Sequence, residues 1–340
     1  MDDVVADRAA GVLLGQAVGD ALGVPYEFGT TRLEGEAKML GGGLGGYRPG
    51  QYSDDTEMAV CIAQVSCDGH DLTSEEALTL VAHRFMAWRR TDPPDIGVQT
   101  RAVLGDGAEV SGEELTARAR AYFERTGRAA GNGGLMRTGI VGLSRLDDRE
   151  ATAAAARAVC ELTHADPLAP ESCVLWSEAV RVAVLEGRFD VRGGLDLLPA
   201  DRVAYWSERL DEADAGPAAR FTANGFTVVA LQAAWAAIRE TDPVGAGEEA
   251  PLEGPSAEDG SDRAEQIRIG QLHIRAALQR AIEIGNDTDT VAAIAGTLLG
   301  ARYGAAALPW EWVEQINGWP ELTASSLVGL AHATARHGRA

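Results

Sequence analysis

Lysine is almost missing from this chain: Lys38 is the only one, and arginine supplies nearly all of the 30 basic residues. Basic charge as a whole is scarce, because 51 acidic residues leave a formal net charge of −21. That balance excludes a nucleic-acid backbone or an anionic membrane surface as the main partner. A small anionic ligand stays possible, since a bound metal can outweigh the global field locally. Cysteine is sparse too. Cys61, Cys67, Cys160 and Cys173 are scattered without CxxC spacing in apolar helical runs. They read as reduced, buried, small hydrophobes, which excludes a disulfide scaffold or a zinc finger. Long apolar runs are absent: the longest, 226–238 and 291–301, are too short to cross a bilayer. The start, MDDVVADRAAG, is acidic where a secretory signal needs basic residues. A soluble, cytoplasmic protein is expected, and a monomer. Period-2 alternation long enough for a sheet is also missing, as is any internal repeat.

What is present builds helices. With 340 residues, 46% of them hydrophobic, the chain can bury a large core. Residues 4–22 read as a helix carrying Gly11, Gly15 and Gly19 four apart. Glycine costs helix propensity, so this stripe predicts close approach of another backbone or of a ligand. Residues 74–90 place Leu78, Val81, Phe85 and Trp88 at helical spacing. Further helices are expected after Ser53-Asp54-Asp55, from Val98, and at 151–162, 170–187, 201–213, 221–239, 264–284, 308–316 and 325–335. Residues 245–262, GAGEEAPLEGPSAEDGSD, cannot build a core and read as a flexible acidic insertion inside one domain spanning 1–340.

Chemistry concentrates where two of these helices begin. In 285–303, GNDTDTVAAIAGTLLGARY, Asp287, Asp289 and Thr290 precede an alanine-rich run. Acidic and hydroxyl residues at a helix start are ordinary caps. Three hard oxygen donors within so few residues also suit Mg²⁺ or Mn²⁺ better than zinc. A second stretch of the same kind, Ser53-Asp54-Asp55-Thr56, opens another apolar helix, and two such corners can face each other across a binuclear site. The loop 41–50, GGGLGGYRPG, lacks the Gly-Lys-Ser/Thr ending of a phosphate-binding loop, and reads as a means of delivering the acidic turn. Glu27 stands between Tyr26 and Phe28 just after the first helix. The turn Gly131-Asn132-Gly133-Gly134 offers backbone N–H groups to a phosphate, with Arg137 as a possible partner. His164 follows a helix and reads on its own as a C-terminal cap.

Taken together, GVLLGQAVGDALGVPYEF, GGG…RPGQYSDDTEMA, DIGVQTRAVL, GNGGLMR, THADP, NGFTVVALQAAWAAI and GNDTDTVAAIAGTLLGARYG resemble the ADP-ribosylglycohydrolase family, which includes the dinitrogenase-reductase-activating glycohydrolases. They occur in the family's order across nearly the whole chain. The resemblance implies an all-α, compact, single-domain orthogonal helical bundle. It implies two divalent ions, Mg²⁺ or Mn²⁺, and hydrolysis at the distal ribose C1″ of ADP-ribosylated substrates. By position it implies Ser53, Asp54, Asp55, Asp287, Asp289 and Thr290 as metal ligands, with Glu27, Asp55 and Asp289 catalytic. Asp95, Gly131, Asn132, Gly133, Gly134, His164 and Phe226 are implied as substrate-binding. Two positions depart from the family: Ser53 where threonine is frequent, and Val98 where some members carry asparagine. The alternatives are a catalytically weak ADP-ribose-binding protein, and a metal-dependent nucleotide phosphohydrolase that would yield AMP.

Overall fold

A computed structural model describes residues 1–243 and 260–338; the side chains of 260–262 are not described. The expected insertion at 245–262 therefore lies almost wholly outside the described residues. Where the chain is described it is helical. In order come α1 (Asp3–Gly23), α2 (Asp54–Ser66), α3 (Glu75–Arg89), α4 (Val98–Leu104) and α5 (Gly112–Thr126). Next are α6 (Leu135–Thr138), α7 (Arg149–Glu161), α8 (Leu168–Glu186), α9 (Val203–Asp214) and α10 (Thr227–Glu240). The last four are α11 (Gly260–Glu283), α12 (Thr288–Tyr303), α13 (Trp310–Val313) and α14 (Ala324–His337). Among the described residues the one strand pair is an antiparallel ribbon, β1 (Asn317–Gly318) with β2 (Leu322–Thr323), in register Asn317 to Thr323, beside three isolated bridges. The all-α expectation holds. Among the described residues, no helix is long and apolar enough to cross a membrane.

The centre of the molecule is the antiparallel pair α1 and α12. Gly11 and Gly300 lie against each other's backbone, as do Gly15 and Gly296, while Gly19 meets Ala292 and Gly23 meets Asp289. A Cβ at any of the three stripe positions would overlap a backbone carbonyl of the opposite helix. The stripe thus serves backbone packing. Contact this close aligns the end of α1 with the start of α12, where the paired aspartates stand. Gln16 ties in the third helix: its amide donates to the Asp55 carbonyl at 2.9 Å, and its oxygen accepts from Thr297 at 3.5 Å. Around this pair the buried core runs from Val5 to Ala335.

Elements differ from the pattern read in the sequence. The helix expected at 308–316 is the single turn α13, and the helix expected at 221–239 begins only at Thr227, because residues 223–226 make a turn against the glycine turn. There Asn132 N–H donates to Gly225 O, and Thr227 N–H donates to Ala130 O. Helix α5 had no place in that pattern, since it buries little apolar surface beyond Leu115 and Ala119.

Candidate metal centre and substrate cleft

The acidic side chains at the starts of α2 and α12 are free to do more than cap. Ser53 and Asp287 occupy the two N-cap positions, and neither side chain makes the capping bond. The cap of α2 comes from α1 instead. Asp20 accepts from Ser53 N–H at 2.9 Å and Oγ–H at 2.8 Å with one oxygen, and from Thr56 N–H at 3.0 Å and Oγ1–H at 2.6 Å with the other. Four accepted hydrogen bonds hold this carboxylate and leave Asp55 facing the gap between the helices. Asp20 is a residue that motif reading missed; a buried polar pair, Gln16 and Asp20, four apart on an otherwise apolar helix was the available signal.

The two acidic corners meet. Asp55 Oδ2 lies 3.3 Å from Thr290 Oγ1 and 3.2 Å from Ser53 Oγ. Carboxylate oxygens of Asp20, Asp55 and Asp289 fall within 4.8 Å of one another, and those of Glu27, Asp287 and Asp289 do the same. The two groups share Asp289. Glu27 reaches the second from a short 3₁₀ segment, 24–29, in which Phe28 takes a left-handed φ of 46°. Phe28 N–H donates to Asn286 O at 2.7 Å, which fastens this segment to the Asp287 corner. Asp287 is oriented in turn: its Oδ2 accepts from Asn132 at 2.8 Å, and its N–H donates to Asn224 Oδ1 at 3.2 Å.

These carboxyls repel one another in a dry setting. Burial pushes Asp54, Asp55 and Asp289 well above the usual carboxylate range, and neighbouring carboxylates push them further. Burial also raises Asp20 to about 6 and Asp287 above its ordinary value, although hydrogen bonds oppose both shifts. Glu27 is driven up to about 9 by burial, then by Asp95 and Asp287. Asp95 is raised by burial, a shift that its hydrogen bond to Glu27 opposes. Asp55 Oδ1 and Glu27 Oε2 are buried without a hydrogen-bond partner. Orphaned carboxylate oxygens amid uncompensated negative charge are what an oxygen-liganded divalent cation satisfies. The residues present therefore fit such a group.

A cavity of about 520 Å³ opens over this cluster. Glu27, Asp54, Asp95, Gly131, Asn132, Gly133, His164, Asp287, Asp289 and Thr290 line it. Ser53 and Asp55 lie behind its wall, fully buried. Asp54 lines the cavity but belongs to neither carboxylate group. Gly134 packs on Cys160 instead of facing the cavity, and Phe226 lines an adjoining hollow of about 380 Å³ with Gln99 and Arg128.

Arg137 does not reach a ligand. Its guanidinium is fully buried, lies 4.6 Å over the Phe85 ring, and donates to Thr163 Oγ1 at 2.6 Å. Thr163 Oγ1 also lies 2.7 Å from His164 Nδ1. The other ring nitrogen, Nε2, stands next to Gly131 and Gly133 at the cavity wall. Burial, then Arg137, hold the His164 pKa well below its ordinary value, so the ring is neutral. His164 thus lies in the cavity wall, and its ring does not cap α7.

A sequence model described as ADP-ribosylglycohydrolase matches residues 1–339. The chain belongs to the ADP-ribosylglycohydrolase family. It is thus a hydrolase of ADP-ribosyl glycosyl bonds. It is 27% identical over 323 residues to ADP-ribosyl-[dinitrogen reductase] glycohydrolase of Rhodospirillum rubrum, covering 92% of this chain and 91% of that one. It is 24% identical over 325 residues to ADP-ribosylarginine hydrolase Tri1 of Serratia proteamaculans, covering 91% and 75%. Human ADP-ribosylhydrolase ARH3 is 28% identical over 304 residues, covering 79% and 76%. Among solved structures, an ADP-ribosylglycohydrolase-related protein complex superposes with a TM-score of 0.63 at 25% identity, covering 99% of this chain and all of that one.

Proposed function

We propose that the cavity binds the ADP-ribosyl group of a modified protein or small molecule, with two divalent ions, Mg²⁺ or Mn²⁺, and releases ADP-ribose by hydrolysis at ribose C1″. The observation that carries this reading is the pair of carboxylate groups joined at Asp289, each with an orphaned oxygen, Asp55 Oδ1 or Glu27 Oε2. Two groups sharing one bridging carboxylate suit a binuclear centre. Ser53, Asp54, Asp55, Asp287, Asp289 and Thr290 are its ligands in this reading, and Asp20 positions them. When bound, such ions orient the ribose hydroxyls and lower the pKa of a water.

The chain's own residues supply the rest. Glu27, lining the cavity beside Asp95 and raised to about 9, is the group we assign to move a proton as the glycosidic bond breaks. His164 Nε2 and the Gly131–Gly133 backbone offer hydrogen-bonding groups to the ligand. Phe226, 38% exposed beside the cavity, offers a face on which a base can stack. Val98, 83% exposed on the rim, contributes only apolar surface to the acceptor side.

The test is to incubate the protein with substrates ADP-ribosylated on arginine, serine or an O-acetyl group, with Mg²⁺, with Mn²⁺ and with a chelator. Release of free ADP-ribose that the chelator abolishes supports the reading. AMP as the product, or binding without release from every linkage, contradicts it.

A further inference from the structure

The α1–α12 pair has a second end, remote from the carboxylates. Because the helices run antiparallel, Arg8 near the start of α1 meets Arg302 at the end of α12, and about 18 Å of helix rise separates Arg8 from Asp20. Both arginines are nine-tenths buried, at 8% and 7% exposure. Neither forms an ion pair within 4 Å of a carboxylate among the described residues. Arg302 lies 4.3 Å over the Phe189 ring and 5.2 Å over the Tyr303 ring, while its Nε is buried with no partner. The Arg8 guanidinium rests on Gly187, at the C-terminal end of α8, where the helix dipole favours it. A third arginine, Arg263, stands at the lip, 4.0 Å from Asp7. Asp7 is already engaged, accepting from Ala306 N–H at 3.0 Å.

Two like charges buried side by side destabilise each other. Burial lowers the Arg8 pKa; Asp2 opposes the shift and Arg302 adds to it. In a chain of net charge −21, Arg8, Arg263 and Arg302 nonetheless line one hollow of about 30 Å³, together with Asp7 and Tyr303. A single water needs about 10–15 Å³, so the hollow has room for a small ion and none for a nucleotide. Guanidinium groups match the oxygens of an oxyanion.

We propose that Arg8, Arg263 and Arg302 form a second ligand site, which holds a free oxyanion the size of inorganic phosphate. The site is independent of the hydrolase reading and stands or falls without it. Its test is calorimetric titration and thermal melting of the full chain with inorganic phosphate, with AMP as a second arm. Phosphate should bind and raise the Tm. Arg302→Gln should weaken binding about tenfold or more, the loss of one charge-assisted hydrogen bond. Arg263→Ala, at a partly exposed position that leaves the fold intact, should weaken it in the same direction. No binding by the native chain at millimolar phosphate overturns the proposal, as does binding that both variants retain in full. AMP binding as tightly as phosphate, and lost in the same variants, would also overturn the assignment to a free ion.

Discussion

Asp55 and Asp289 carry the heaviest demands on single side chains, since each stands within one carboxylate group and Asp289 stands in both. Asp55→Ala or Asp289→Ala should lower ADP-ribose release by about 10³-fold or more while the circular dichroism spectrum stays native. Near-normal turnover with Mg²⁺ present would remove the metal assignment. Glu27→Gln keeps the shape but not the proton, and should cost about 10²–10⁴ in kcat. Protonation gives an independent check. Asp20 at about 6 and Glu27 at about 9 lie above their unfolded values of 3.8 and 4.5. The folded state therefore binds more protons than the unfolded one between those limits, so metal-free stability falls as pH rises from about 4 towards about 9. Urea midpoints in chelator should drop from about pH 5 to about pH 8, and Mg²⁺ should recover most at the higher pH. A midpoint indifferent to pH would show that these carboxyls are not desolvated.

Helices α1, α2 and α12 form one mechanical unit. Gly15→Ala would drive a methyl group into the Gly296 carbonyl, and should destabilise the fold by about 1–3 kcal/mol or more, read from the denaturant midpoint. Asp20→Asn keeps the shape of the α2 cap but cannot accept all four hydrogen bonds, so metal affinity should fall by about 10–100-fold. Unchanged affinity would reduce Asp20 to a helix cap. The glycine stripe was readable in the sequence because its period is local and its cost must be offset by something. The acidic corners were readable because each holds several donors in a few residues. Asp20 left only a faint trace, its four-residue spacing from Gln16, and Asn224 left none, since their partners lie 33 to 63 residues away. Arg137 looked like a phosphate partner because it follows a glycine turn. The turn in fact starts α6, which points the guanidinium into the core, where it donates to Thr163 Oγ1 beside His164.

For the molecule as a whole, the fold is a device for closing two distant acidic corners over one cavity and keeping water from screening them. Family membership supplies the reaction class, and the acidic residues gather at one cavity. Seven carboxyls (Asp20, Glu27, Asp54, Asp55, Asp95, Asp287, Asp289) gathered without an arginine ion pair among the described residues make the metal-free protein self-repelling. Metal binding should therefore be tight, proton-releasing and strongly stabilising. Counting the ions is the decisive experiment. Calorimetric titration of the chelator-treated protein with Mn²⁺, in two buffers of different ionisation enthalpy, should give two ions per chain with release of protons. Asp289→Ala should lose both. A stoichiometry of none or one, or two ions still bound by the Asp289 variant, would contradict the shared-carboxylate centre.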